Sequence, residues 1–162
     1  MKNIKKILKE VKKYIDDNLE MDISNALACY EMYPSLKVSS KSLDDTLKHL
    51  NDTFSQTIFY HIDNKNLNEV DVYTNAHIDR RLFSKIRSNN NFKPSKKTAI
   101  ALCFGLKLNL DESLDLLEKA GYTLSHSSKA DLIVEYFLMK EEYDLTILNQ
   151  VLVEYDESPL YI

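Results

Sequence analysis

Three arginines, Arg80, Arg81 and Arg87, stand against eighteen lysines in this 162-residue chain, and all three lie in one short stretch. Guanidinium is a planar fork of donors that can bond a phosphate, a carboxylate or the O6 and N7 edge of guanine at two points, which an ammonium cannot do. The heavy use of Lys, Asn and Ile matches an AT-rich bacterial or phage coding sequence, so arginine here is used against the bias of the chain. Read as a helix, IDRRLFSKIRSN over 78–89 turns Leu82, Phe83 and Ile86 to one side. Arg80, Arg81, Ser84, Lys85 and Ser88 fall on the other. This outward face is a set of base and phosphate readers, with Arg80, Arg81, Ser84 and Lys85 the candidates for base edges. The polar loop SNNNFKP and the start of the next helix follow, and free N–H groups and the helix dipole at such a start attract phosphate. Arg87, Asn89, Lys93, Ser95, Lys96 and Lys97 are therefore the candidates for a phosphate backbone. The ordinary alternative is a solvated basic face on a helical bundle.

Other chemistries find little support. His49, His61, His77 and His126 have no metal-ligand spacing, and HExxH, GxSxG and Walker patterns are absent. Counted from Asp63 as a calcium loop, the third, fifth, sixth and twelfth positions hold Lys65, Leu67, Asn68 and Thr74, so the EF-hand template fails. Cys29 and Cys103 stand alone in apolar stretches, which reads as buried thiols and not as a disulfide or zinc ribbon. Acidic pairs such as Asp44–Asp45 and Glu141–Glu142 are adjacent, so on a helix they point apart. No catalytic residue, metal or cofactor is expected. With no apolar leader and no long apolar run, the expectation is a cytoplasmic protein without membrane contact.

The net charge of −4 hides alternating blocks: +5 over 1–14, −7 over 15–76, +7 over 77–110 and −9 over 111–162. Nucleic-acid affinity comes from local neutralisation of phosphates, so the third block matters more than the total.

The elements that must position these residues read as helices throughout. Two glycines and three prolines leave little turn chemistry for hairpins. The first segment aligns Ile4, Ile7, Leu8, Val11, Tyr14 and Ile15, with lysines around the rest, and is read as a surface helix with a solvated basic face. A short helix is predicted over 23–32 and a linker over 34–42. An apolar stripe then runs through Leu43, Leu47, Leu50, Phe54, Ile58, Phe59 and Ile62. A short helix over 69–76, a turn at His77 and Ile78, and a helix capped by Asp79 give helix-turn-helix spacing. Ser95 caps the next helix, with Ile100, Cys103, Phe104 and Leu106. Asn109 and Glu112 form a capping box for a helix with Leu114, Leu117 and Ala120 as its stripe, ended by Gly121. Ser128 and Asp131 open a helix through Leu138, a last one spans 145–153, and the tail ESPLYI is predicted to dock.

On FSKIRSNNNFKPSKKTAIALCFGLKLNLDESLDLLEKAG, with Ile86, Pro94, Ser95, Leu106, Leu110 and Glu112 in place, residues 53–120 resemble the lambda-repressor-like (XRE-type) DNA-binding domain. The stretch AGYTLSHSSKADLIVEYF after it is similar to helical domains appended to bacterial macro domains, although no macro domain is present. The resemblance implies an all-α protein: a five-helix repressor-like helix-turn-helix bundle over 43–121, with an N-terminal helical extension over 1–40 and a C-terminal one over 122–162. It implies a sequence-specific, repressor-like transcription regulator that binds double-stranded DNA, with the 79–88 helix reading bases and the next helix's start on the backbone. The extensions are read as dimerisation or partner surfaces, giving a homodimer on palindromic half-sites. The alternative is a protein-binding inhibitor or adaptor of phage or mobile-element type, whose acidic C-terminal helices occupy a basic groove on a nucleic-acid enzyme.

Overall fold

Side-chain oxygens start most of the helices. In the computed structural model, which describes residues 4–19 and 52–160, the Thr53, Asn68, Asp79, Ser95, Asn109, Ser128 and Asp144 side chains each accept a bond from a backbone N–H two or three residues into the helix they precede. Each satisfies a donor that the helix itself cannot. The helices are α1 (Ile4–Leu19), α2 (Phe54–Asn64), α3 (Glu69–Asn75), α4 (Arg80–Ser88), α5 (Lys96–Gly105), α6 (Leu110–Lys119), α7 (Lys129–Met139) and α8 (Leu145–Glu154). No strand occurs among the described residues, so the chain is all-α there. The helix expected over 23–32, the linker over 34–42, the start of the stripe at Leu43, Leu47 and Leu50, and Cys29, His49, Asp44 and Asp45 lie outside the described residues. No described helix is long and apolar enough to cross a membrane.

Six helices stop in one way. Asn66, His77, Lys107, Gly121, Glu141 and Asp156 each follow a helix with φ between 50° and 82°. At each, the N–H of that residue and of the next reach back to carbonyls of the last turn, as in His77 to Thr74 (3.0 Å) and Ile78 to Tyr73 (2.9 Å). These are Schellman ends, and the left-handed residue within them is usually glycine. Only Gly121 is glycine here. The other five carry a Cβ against the preference of that region.

The second glycine is used for packing. α5 is buried from Thr98 to Gly105, as expected of a helix that is apolar on every side, and α3 crosses its C-terminal end. A Cβ on Gly105 would lie 2.5 Å from the Val72 carbonyl oxygen and 2.8 Å from the Ala76 Cβ. Around α5 the rest is arranged: α6 packs on it, α2 and α7 pack on α6, and α8 and α1 pack on α7. The core runs without interruption from Phe54 to Leu160 and takes in Val11 and Ile15 of α1. The expected boundary at 121–122 falls on the Gly121 turn, and the helices beyond it share the same core.

Two details differ from expectation or extend it. The α6 stripe is Ser113, Leu116 and Leu117, and Leu114 is 38% exposed. Ser113 is buried, with its hydroxyl bonded back to the Leu108 carbonyl (3.5 Å), so a small residue faces Cys103. The Cys103 thiol, fully buried, is pushed up to about 12 by desolvation. The tail docks as expected: Leu160 is buried, and its N–H donates to Asn149 Oδ1 at 2.6 Å. The end of the tail, Tyr161 and Ile162, lies outside the described residues.

Where α2 meets α6, Lys65 Nζ bonds Glu112 Oε2 (2.7 Å) and the Lys107 carbonyl (3.2 Å). Burial alone would raise the Glu112 carboxyl, but the bonds from Lys65 and the Asn109 N–H outweigh it and hold it low. Nearby, His61 is 7% exposed and its Nδ1 has no partner. Burial disfavours the imidazolium and lowers its pKa, an effect that Glu112 opposes and Lys65 reinforces.

Gly105→Ala should cost about 1–3 kcal/mol in urea unfolding, because overpacking against backbone exceeds the helix propensity gained. Lys107→Gly should add about 1 kcal/mol by relieving a left-handed Cβ. For His61 the folded pKa lies below the unfolded value of about 6.5, so the unfolded chain takes up the proton first as pH falls. Stability should therefore drop as pH falls below about 6.5 until the folded pKa is passed, and thermal melts of His61→Gln should show a smaller drop.

Candidate nucleic-acid interface

The α4 surface is fixed from beneath. Phe83 and Ile86 are buried and Leu82 half-buried, and the Phe83 ring packs against Phe59 of α2 (5.8 Å) and Tyr73 of α3 (5.5 Å). The turn before α4 is set by His77 at φ 52° and by Asp79, whose carboxylate accepts the Arg81 N–H at 3.2 Å. With one face anchored by aromatic contacts, the opposite face is set by helical geometry alone. Arg80, Arg81, Ser84, Lys85 and Ser88 are all exposed on it. Arg80, Arg81 and Lys85 have no partner among the described residues, whereas the Ser88 hydroxyl donates back to the Lys85 carbonyl (3.4 Å). Between α3 and α4 lies a cleft of about 340 Å³ edged by Arg80, Ser84 and Arg87, with Tyr73 and Phe83 at its base.

The residues expected on the phosphate backbone have more varied surroundings. Lys93 is exposed and without a partner among the described residues. Arg87 instead pairs with Glu69 of α3, and its guanidinium lies 5.6 Å from the centre of the Phe59 ring. It thus joins α2, α3 and α4. Asn89 shapes the loop: its side chain accepts the Asn91 N–H (2.9 Å), and its carbonyl accepts the Ser55 hydroxyl (3.0 Å). Ser95 is the α5 cap, bonded to the Thr98 N–H (3.2 Å) and hydroxyl (2.9 Å).

Lys96 and Lys97 reach the C-terminal part of the chain. Lys96 Nζ bonds Asp131 Oδ2 at 2.6 Å, and Lys97 Nζ bonds the Pro159 carbonyl at 2.9 Å. Asp131 is 6% exposed and also accepts the Ser125 N–H (2.8 Å). Tyr122 adds a third tie, its hydroxyl donating to the Pro94 carbonyl at 2.9 Å. The start of α5 is thus fastened to the segment after α6 and to the tail.

No family model, no curated protein and no solved structure matches the chain.

Of the ten residues singled out in the sequence, Arg80, Arg81, Ser84, Lys85 and Lys93 are exposed and have no side-chain partner among the described residues, while Arg87, Asn89, Ser95, Lys96 and Lys97 each hold the fold together. Glu69 and Phe59, which position Arg87, were not singled out. Their pairing with Arg87 depends on how α2, α3 and α4 stack, and no local spacing rule encodes that.

Asp131→Ala should lower stability by about 2–3 kcal/mol, since it strips the partly buried Lys96 ammonium and the Ser125 N–H of their acceptor. Lys96→Ala should cost less, because a carboxylate keeps its bond from Ser125. Chemical denaturation of the two variants tests the order: equal losses would mean that the Lys96 bond alone accounts for the role of Asp131.

Proposed function

We propose that the chain is a repressor-like regulator that reads duplex DNA with the outer face of α4, in a helix-turn-helix unit formed by α3, the His77 turn and α4. The observation that carries this reading is the face itself: Arg80, Arg81 and Lys85 stand exposed and without a partner among the described residues in a chain whose net charge is negative, over a helix whose other side is anchored in the core. A rigidly held helix bearing guanidinium forks suits the major groove, where each fork can bond guanine O6 and N7 together. Ser84, one turn beyond Arg80, adds a short hydroxyl for a base edge or a phosphate. Lys93, in the loop that follows, contributes to the backbone.

Acidic surface elsewhere supports orientation, because it repels phosphate from every face but the basic ones. The XRE-type resemblance of residues 53–120 is consistent with this assignment of roles. A two-fold dimer on half-sites about one helical turn apart completes the proposal, with a cytoplasmic site of action. Lys96 and Lys97 contribute less to DNA than their charge implies, since contact with phosphate would first require releasing Asp131 and the tail.

The alternative, a protein-binding adaptor that uses its acidic C-terminal helices, makes the opposite prediction for α4. Arg80→Lys and Arg81→Lys keep charge but remove the fork, so specific affinity should fall by about 1–3 kcal/mol while random duplex binds as before. The comparison needs a site selected from random sequence and fluorescence anisotropy at several salt concentrations. If both variants match the parent on selected and random DNA alike, α4 reads no bases. If the parent selects no sequence and binds no duplex even at low salt, the regulator reading falls and the adaptor takes its place.

A further inference from the structure

Helix α1 carries its charges in the order that its own dipole disfavours. Lys5, Lys6 and Lys9 crowd the first half and Asp16 and Asp17 close the last turn, with no acidic residue in the first turn and no basic one in the last. The N-terminal end of a helix is its positive end, so each of these placements weakens the isolated helix. Stability of α1 therefore does not explain the arrangement. Docking does not explain it either, because the contacts to α7 use the other side. Val11 is fully buried and Ile15 nearly so, Tyr14 lies on the Tyr136 ring at 5.5 Å, and the Tyr136 hydroxyl donates to Glu10 at 2.7 Å.

Lys5, Lys9, Lys12 and Lys13 are exposed, and none has a partner among the described residues; Lys6 alone has a carboxylate, Glu10, at 3.9 Å. At 1.5 Å per residue the four span roughly 12 Å along one ridge. Positive helix end and positive side chains thus add to one another on a surface that faces away from the core.

We infer that this lysine ridge of α1 is a second polyanion-binding surface, separate from α4, and that its partner is the phosphate backbone of duplex nucleic acid. The choice between nucleic acid and membrane follows from the apolar face. A helix that lies in a bilayer surface inserts its apolar side among the lipids, and here that side is already covered by α7. What remains is a row of mobile point charges without a bidentate donor, which suits phosphates and carries no sequence information. A duplex presents one negative charge per about 1.7 Å of axis, so a ridge of this length faces several. The inference does not depend on α4 reading bases.

The test uses the full chain and a random-sequence duplex, titrated across a salt series by anisotropy. The quadruple variant Lys5→Gln, Lys9→Gln, Lys12→Gln, Lys13→Gln should bind at least about tenfold more weakly at low salt, with a log–log salt slope shallower by about 3 units. Its circular dichroism and melting temperature should match or exceed the parent's, because the substitutions relieve the unfavourable dipole, so lost binding would not reflect lost folding. The companion variant Arg80→Gln, Arg81→Gln separates this proposal from the DNA-reader reading. If the α1 variant weakens, the ridge stands, whether or not the α4 variant weakens with it; an α4 variant that alone keeps the parent's affinity shows that α4 makes no phosphate contact on random sequence. If only the α4 variant weakens, or neither does, the ridge is overturned. Parent binding to phosphatidylserine vesicles that exceeds its binding to duplex and vanishes in the quadruple variant would overturn the choice of nucleic acid.

Discussion

The contact between Gly105 and Ala76 sets the distance on which the α4 surface depends. Backbone and methyl meet there with no room for one more carbon, so α3 is pressed onto the end of a helix that is itself buried. From α3 the His77 turn leads directly into α4, and Phe83 and Ile86 draw α4 down onto the aromatic cluster of Phe59 and Tyr73. Moving α3 outward by the width of a side chain would shift the turn and with it the arginines. Close packing makes such a shift discrete and costly, because interiors of this density do not deform gradually. The α4 surface proposed to meet DNA is thus held by a glycine some distance from it.

Charge is divided between two roles. Lys65, Arg87, Lys96 and Lys97 are spent inside the fold on Glu112, Glu69, Asp131 and a carbonyl of the tail. Arg80, Arg81, Lys85 and Lys93, together with Lys5, Lys9, Lys12 and Lys13 of α1, have no partner among the described residues. Exposed ion pairs contribute little to stability, but one joined to a buried carboxylate with a backbone donor does more, and Lys96–Asp131 is of that kind. It ties the base of the proposed reader to the C-terminal helices.

Much of the fold could be read from local chemistry. Asp79, Ser95, Asn109 with Glu112, and Ser128 announced helix starts because a cap is a bond between near neighbours. The inward and outward faces of α4 followed from its period, and so did the exposure of Arg80, Arg81, Ser84 and Lys85. Helix ends were harder. Asn66, His77, Lys107, Glu141 and Asp156 adopt a glycine-like backbone without being glycine; Asn, His and Asp tolerate that region better than most residues, and the turn at His77 was legible, but nothing in Lys107 or Glu141 signals it. Ser113 was hidden for another reason: a hydroxyl whose bond goes to a nearby carbonyl in the turn before its helix is polar in sequence but packs as a small buried residue. The engagement of Arg87, Lys96 and Lys97 was beyond reach, since their partners are distant in sequence and only stacking brings them near.

The docking of α1 on α7 also has a history in time. Glu10 and Tyr136 are 126 positions apart, which at about 5–20 residues per second corresponds to roughly 6–25 seconds of translation. For that interval α7, against which Val11 and Ile15 pack in the folded chain, has not yet been made. An isolated helix of this length is marginal in water, and an uncovered apolar stripe invites association with other nascent chains. The lysines around it keep such encounters apart by mutual repulsion, as gatekeeper charges do beside unavoidable apolar segments. The same ammonium groups would thus act first as guardians of an unfinished chain, before the completed one has any surface to offer.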